Sequence, residues 1–379
     1  MPSSDPIVEL VTDSPLFQTH TDQESGVVSY VLTHRVAPVQ QGFCFVNSGW
    51  SDDGRYLWLY CAFPPSPGHS LAVIDFQQQA VTHCPETAFN HASPMVLPGS
   101  GEILWTSGAG LWRRSPEPGQ PAEMLNRIPA DWIGQRGVGR GATHLTRSPD
   151  GREVFIDAAV GYQSWFGTMP LDGGEFQLWH RFDRNYNHAQ FSPVDGDLAL
   201  FAQEHHSDPL TGLRFNITDR MWVIRRGQPP RPIFPEPTVL THEWWHPSGQ
   251  KVWCIRGFGD EQGTWLVDLD SAAYENVWPA EQPWHSHDHP AGPYLTGDRT
   301  VKGFYRGCPS TVHFFNRDTG REVRIAANPE RDDYAAVNYH IDPHPRFCCG
   351  GRFVVHTTTV RGKVDLAVTP IEPLIDRTT

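Results

Sequence analysis

The sequence predicts an all-β fold, a seven-bladed β-propeller, on two counts that each reach seven. First, a short turn is followed seven times by a hydrophobic run. The turns are Ser51-Asp52-Asp53-Gly54, Pro98-Gly99-Ser100-Gly101, Ser148-Pro149-Asp150-Gly151, Ser192-Pro193-Val194-Asp195-Gly196, His246-Pro247-Ser248-Gly249, His289-Pro290-Ala291-Gly292 and Cys348-Cys349-Gly350-Gly351. The runs after them begin at Tyr56, Ile103, Val154, Leu198, Val252, Tyr294 and Phe353. Each unit reads as strand, tight turn, strand, and the units lie about 45 to 58 residues apart, the period of propeller blades. Second, a further strand group follows every hairpin, at residues 71–75, 111–114, 169–174, 221–224, 265–269, 312–316 and 366–369.

The remaining elements follow from this frame. Residues 1–379 form one propeller domain. An alternating N-terminal strand, about 26–35, pairs with the last blade and closes the ring, which buries an otherwise open edge. Short helical turns are expected near 129–132 and 329–332, and no strong amphipathic helix is evident. The 34 prolines fall mainly in turns and loops, as an all-β chain requires. Gly137-Val138-Gly139-Arg140-Gly141 has the look of a phosphate loop, but no helix follows, so it reads as a flexible loop.

Composition narrows the function classes. The hydrophobic fraction of 39% is ample for a packed core, and 14 tryptophans suit the wedge-shaped gaps between blades. A net charge of −13 without a basic stripe argues against nucleic acid. No apolar stretch reaches membrane-spanning length. Residues 1–16 lack the apolar core of a signal peptide. The seven cysteines, odd in number and without a CxxC pair, read as reduced buried thiols. These features together point to a cytoplasmic protein.

Histidine carries the chemical signal. There are 19, and several lie just ahead of a blade's first turn. Equivalent positions of successive blades project toward the same channel mouth, so residues distant in sequence meet there. Asp342 and His344 are two apart and face one side of an extended strand, and His340 shares that spacing. His285 from the preceding blade completes a candidate metal set. Nitrogen and oxygen donors without thiolate suit Mn, Zn, Ca or Mg. His188 and Gln190 are candidates for substrate contact. His144 and His91 hold comparable positions on other blades, and either is an alternative base. A structural role, bonding backbone between blades, is the better reading for His287, His289, His205, His206 and His246. Trp165, Trp244 and Trp245 offer a sugar-stacking face, although core packing is the commoner fate of tryptophan.

A family resemblance sharpens these assignments. Asn187 through Pro193, Arg220-Met221-Trp222, Thr241-His242-Glu243-Trp244-Trp245, His285 through Asp298 and Asp342 through Phe347 resemble, in order and spacing, the oligogalacturonate lyases, a family of seven-bladed propeller enzymes. The likeness runs over residues 45–360 and is densest over 185–300. It implies β-elimination on a uronic acid sugar. The family's catalytic histidine falls on His242, its substrate-carboxylate arginine on Arg220 and its first metal histidine on His285. Its Gln-x-x-His-x-His-Pro motif falls on residues 339–345. There Tyr339 replaces Gln and Asp342 replaces His, while His344 matches. Tyr339 then stands beside the substrate, and the metal site is rebuilt around Asp342 and His340. The metal expected from the resemblance is divalent, manganese ahead of calcium or zinc.

The chemistry also stands without the family. A C5 proton is hard to remove because the adjacent carboxylate already bears charge. An arginine and a metal at that carboxylate disperse the growing negative charge. A neutral imidazole takes the proton near neutral pH. The partner that the resemblance implies is a uronate-containing oligosaccharide. The Tyr339/Asp342 change motivates a second reading, a lyase for another uronate linkage such as rhamnose–glucuronate. A third is a non-enzymatic binding scaffold, which predicts no convergence of histidines at the mouth. Without the resemblance, Arg220 reads equally well as a surface ion pair with Asp219 or Glu243.

Overall fold

The structure is a computed structural model that describes residues 5–90, 94–300 and 307–379. Seven antiparallel sheets are ordered as consecutive blades. Every predicted run is the second strand of a blade, from Tyr56–Ala62 to Phe353–Thr358, and every predicted follower is the third, from His69–Asp75 to Asp365–Pro370. Blade 4 carries an insertion between its second and third strands, a two-stranded ribbon of His206–Ser207 and Arg214–Phe215.

The runs are continuously apolar rather than alternating, and the reason lies in the packing. Strand neighbours point to opposite faces, and each sheet is covered on both. Val154 and Ile156 pack toward blade 2, whereas Phe155 between them packs toward blade 4. Seven of the apolar clusters among the described residues coincide with the seven blade-to-blade interfaces. Trp58, Trp105, Trp165 and Trp253 lie wholly inside them. Each such ring brings on the order of 2–3 kcal/mol of burial or more.

Both chain ends meet in blade 7. Val28–Leu32 pairs with Asp365–Pro370 through Tyr30↔Val368 and Val31↔Ala367. Ser29 Oγ lies 2.8 Å from Thr369 Oγ1, and Arg35 forms an ion pair with Asp365. Phe17–Thr21 adds a further outer strand on Val28–Leu32, so this blade has five strands where the others have four.

Helices differ somewhat from expectation. Ala130–Ile133 is helical as anticipated. The turn expected at 329–332 instead begins later, at Tyr334–Asn338, because the Asp333 carboxylate accepts from Ala336 N and caps the helix there. Two terminal helices, Pro6–Thr12 and Glu372–Thr378, are additional. Among the described residues no helix is long and apolar enough to cross a membrane, and all seven cysteines are free thiols.

Candidate metal centre and active site

The innermost strand of each blade lines the channel, and on two blades it is bulged at a histidine. In blade 4, His188 and Ala189 sit between the pairs Asn187↔Ala202 and Gln190↔Leu200. In blade 5, His242 and Glu243 sit between Thr241↔Ile255 and Trp244↔Trp253. Two residues therefore oppose one, and the first of each pair is left-handed, with φ of 56° for His188 and 53° for His242. Glycine is the usual occupant of that position. A histidine there stores about 1–3 kcal/mol of strain. The bulge turns the ring out of the sheet and into the channel. His344 is left-handed as well, with φ of 44°.

His285, His340, Asp342 and His344 converge. One ligand atom from each lies within 4.8 Å of all the others. Asp298 orients the set. It accepts from His285 N at 2.7 Å and from His344 N at 3.1 Å, and its Oδ2 lies 3.0 Å from His285 Nδ1. With Nδ1 bonded to Asp298, His285 presents Nε2 to the cluster. Asp342 is fully buried; its Oδ2 accepts from Trp284 Nε1 at 3.2 Å and lies 2.7 Å from His340 Nε2. Its Oδ1 is buried without a partner. An unmet carboxylate oxygen among three imidazoles is the donor set of a divalent cation, and the residues fit one.

His242 stands beside this cluster. Its ring centroid lies 4.3 Å from that of His285 and 4.9 Å from Trp284. Burial first, then the neighbouring His285 and Arg220, hold its pKa well below the ordinary value, so it is neutral. Phe45 touches His144, His242, His285 and His344 and sets the floor between them. Phe45 and the histidines 144, 242, 285, 340 and 344 open onto one cavity of about 390 Å³.

A second network lies under the blade 4–5 wall. Glu243 is 3.2 Å from His188 Nδ1 through Oε1 and accepts from Arg220 Nε at 3.2 Å through Oε2. Arg220 also donates to Glu204 at 2.6 Å and lies 3.1 Å from His188 Nδ1. This network fixes His188 from below.

The predicted residues thus divide. His242, His285, His340, His344, His188 and His144 line the cavity, with Asp342 buried directly behind. Three others do not line it. Arg220, expected at a substrate carboxylate, is buried with its guanidinium taken by Glu243 and Glu204. It precedes a third strand, two strands out from the channel, and reaches only the underside of His188. Gln190 is buried, and its amide donates to Glu243 O at 2.8 Å, because it lies past the bulge on the face turned toward blade 5. Tyr339 lies at the helix end with its ring on His69 and its hydroxyl donating to Ser66 O at 2.7 Å. His91 lies outside the described residues. Trp165, Trp244 and Trp245 are core, not a sugar platform.

Arg140 escaped the sequence reading. Val138–Arg140 is not a flexible loop but the innermost strand of blade 3, and Arg140 lines the cavity. The position four residues ahead of the blade 3 turn, where His242 stands on blade 5, belongs to His144; Arg140 lies eight residues ahead of it, so the turn spacing gave no signal for it.

No protein-family model matches the chain, and no curated protein matches it. Solved structures do. One, an oligogalacturonate lyase in complex with manganese, has 18% identity and a TM-score of 0.74, over 95% of this chain and 97% of that one. Another, an oligogalacturonate lyase from Vibrio parahaemolyticus, has 13% identity and a TM-score of 0.71, over 94% and 97%. At these identities the likeness establishes the fold, which is the seven-bladed propeller of those two structures.

Proposed function

We propose that the chain is a metal-dependent lyase that cleaves short uronate-containing oligosaccharides by β-elimination. The observation that supports this is the adjacency of a neutral imidazole, His242, to the four converging donors of His285, His340, Asp342 and His344. Manganese is the metal proposed first, because one solved structure of this fold is an oligogalacturonate lyase in complex with manganese; three imidazoles and a carboxylate suit several divalent cations, and zinc and calcium are its competitors in a metal titration. The bound metal supplies a positive charge that stabilises the negative charge developing at the sugar carboxylate.

The residues then divide the work. His242 takes the C5 proton, and the electron pair of that C–H bond becomes the C4=C5 double bond. The C4–oxygen bond breaks, and the departing oxygen takes a proton from water. Asp298 holds His285 and His344 in place throughout. Glu243 and Arg220 hold His188 against the opposite wall, so Arg220 acts through His188 rather than on substrate.

The test is incubation with oligogalacturonates and with rhamnose–glucuronate oligosaccharides, following the ultraviolet absorbance of a 4,5-unsaturated product. Absorbance should rise on one substrate class and stop with a chelator. No rise on any oligouronide in the presence of manganese refutes the reading. The convergence of histidines at the mouth disfavours a purely non-enzymatic scaffold.

A further inference from the structure

The wall facing the metal-side donors carries unmet polar groups of its own. On blades 3 and 4, Arg140, Thr143, His144 and Asn187 all line the cavity. Arg140 Nε, His144 Nδ1 and Asn187 Oδ1 are buried without a partner, whereas the Thr143 hydroxyl bonds the Asp157 carboxylate behind the wall. Buried polar groups without partners call for an explanation. Others are scattered through the blades, but these three share one wall of one cavity, which points to a ligand. His144 is 3% exposed, so its nitrogen is not met by bulk water.

Charge identifies the ligand class. Arg140 is the one arginine or lysine among the described lining residues, and no aspartate or glutamate lines the cavity. Its NH2 donates to Asp157 O at 3.2 Å and Tyr186 O at 3.4 Å. Among the described residues it forms no ion pair. His144 is kept neutral, by burial first and by His188 next. The charge of Arg140 is met only by Asp157, which is buried behind the wall and does not line the cavity. A guanidinium with a free Nε beside an imidazole and an amide suits a hydroxyl-bearing ring with a carboxylate. Tyr60 and Phe89 add an apolar face to the same cavity. Arg140 and His144, on blade 3, lie three blades from both His285 and His344, across the mouth.

We propose that Arg140, His144 and Asn187 form a second subsite, for a uronate residue adjoining the one held at the metal cluster. The substrate then carries at least two carboxylates, one at each side of the channel. This rests on the lyase reading for the identity of the sugar, but its binding test is separate.

The experiment is calorimetric titration of the full chain, with Mn²⁺ present and His242→Ala to prevent turnover. Trigalacturonate and neutral maltotriose are the probes. Trigalacturonate should bind and maltotriose should not. Arg140→Gln should weaken trigalacturonate by about 10- to 100-fold, the worth of a charge-assisted hydrogen bond. Arg140→Lys should fall between, and Asn187→Ala, which removes one amide, should weaken binding several-fold. In the otherwise wild-type chain, KM should rise by the same factors with kcat little changed. Equal affinity in the parent, Arg140→Gln and Asn187→Ala, or no trigalacturonate binding at all, overturns the subsite. Arg140-dependent binding without unsaturated product from any oligouronide retains the subsite and removes the lyase reading. Product formation with an unaltered KM in Arg140→Gln does the reverse. If Arg140→Gln fails to fold, Arg140→Lys and Asn187→Ala decide.

Discussion

Asp298 bonds His285 twice, accepting its backbone N–H at 2.7 Å and lying 3.0 Å from its Nδ1. Backbone and ring are thus fixed by one carboxylate, which also accepts His344 N. Asp298→Asn preserves the volume and removes the charge that favours the Nδ1–H tautomer. Manganese affinity should fall by about 10- to 100-fold, the usual cost of losing such a partner. Titration of Mn²⁺ into chelator-treated protein measures this, and an unchanged affinity refutes the orienting role.

His242 is adjacent to the metal set without belonging to it. His242→Ala should lower turnover by about 10²- to 10⁴-fold, the range for a general base. Metal content, read by mass spectrometry, should stay at the parent level. Loss of metal together with activity would make His242 a ligand instead.

The Arg220–Glu243 pair is buried at both ends, with side chains 4% and 0% exposed. Arg220→Met leaves Glu243 charged and uncompensated, at a cost of about 3–5 kcal/mol. Arg220→Met combined with Glu243→Leu should recover most of it. Denaturant unfolding distinguishes the two; a single-variant cost near that of a surface pair contradicts the burial.

Acid should destabilise the fold in two overlapping windows. Burial would raise the Glu243 carboxyl, but Arg220 and His188 outweigh it and lower the pKa from 4.5 to about 2. That stability is complete above pH 4.5 and is lost as pH falls from there toward 2. About 3 kcal/mol is involved. The His356 ring is buried with both nitrogens unpartnered. Burial, and then His20, push its pKa from 6.5 to about 3. Its contribution is complete above pH 6.5 and is lost below that, toward 3. Glu243→Gln should flatten the lower window and His356→Phe the upper, in unfolding free energy measured against pH. A curve that neither variant alters refutes both assignments.

Ring closure depends on the N-terminal strand. Leu32 is fully buried in the cluster that joins blades 7 and 1. Leu32→Ala should cost about 2–5 kcal/mol, as at any core leucine. Thermal or denaturant unfolding measures it, and a cost below that of a surface change would mean that the strand does not close the ring.

The blade number was legible in the chain because every second strand is buried on both faces and must be apolar along its length. Tight turns need glycine or aspartate at set places, so Ser51-Asp52-Asp53-Gly54 and its counterparts mark the repeat. The sequence spacing of His340, Asp342 and His344 was readable, but the extended strand expected to carry them is not there: the strand begins only at Arg346 and His344 is left-handed, so backbone turns rather than strand alternation bring the three together. Their meeting with His285 was inferred from the ring, and it needed the ring to be true. The burial of Arg220 was not legible. Glu204 reaches it from the end of the neighbouring strand of blade 4, and Glu243 only through the packing of blade 5 on blade 4. Nor were the bulges at His188 and His242, since a left-handed histidine has no marker like that of glycine. Arg140 was read as loop because its strand is three residues long and glycine-rich. The periodic burial that builds the blades is a local property, written residue by residue. The direction of each side chain at the channel mouth depends on register and on neighbours distant in sequence, and tertiary packing alone decided it.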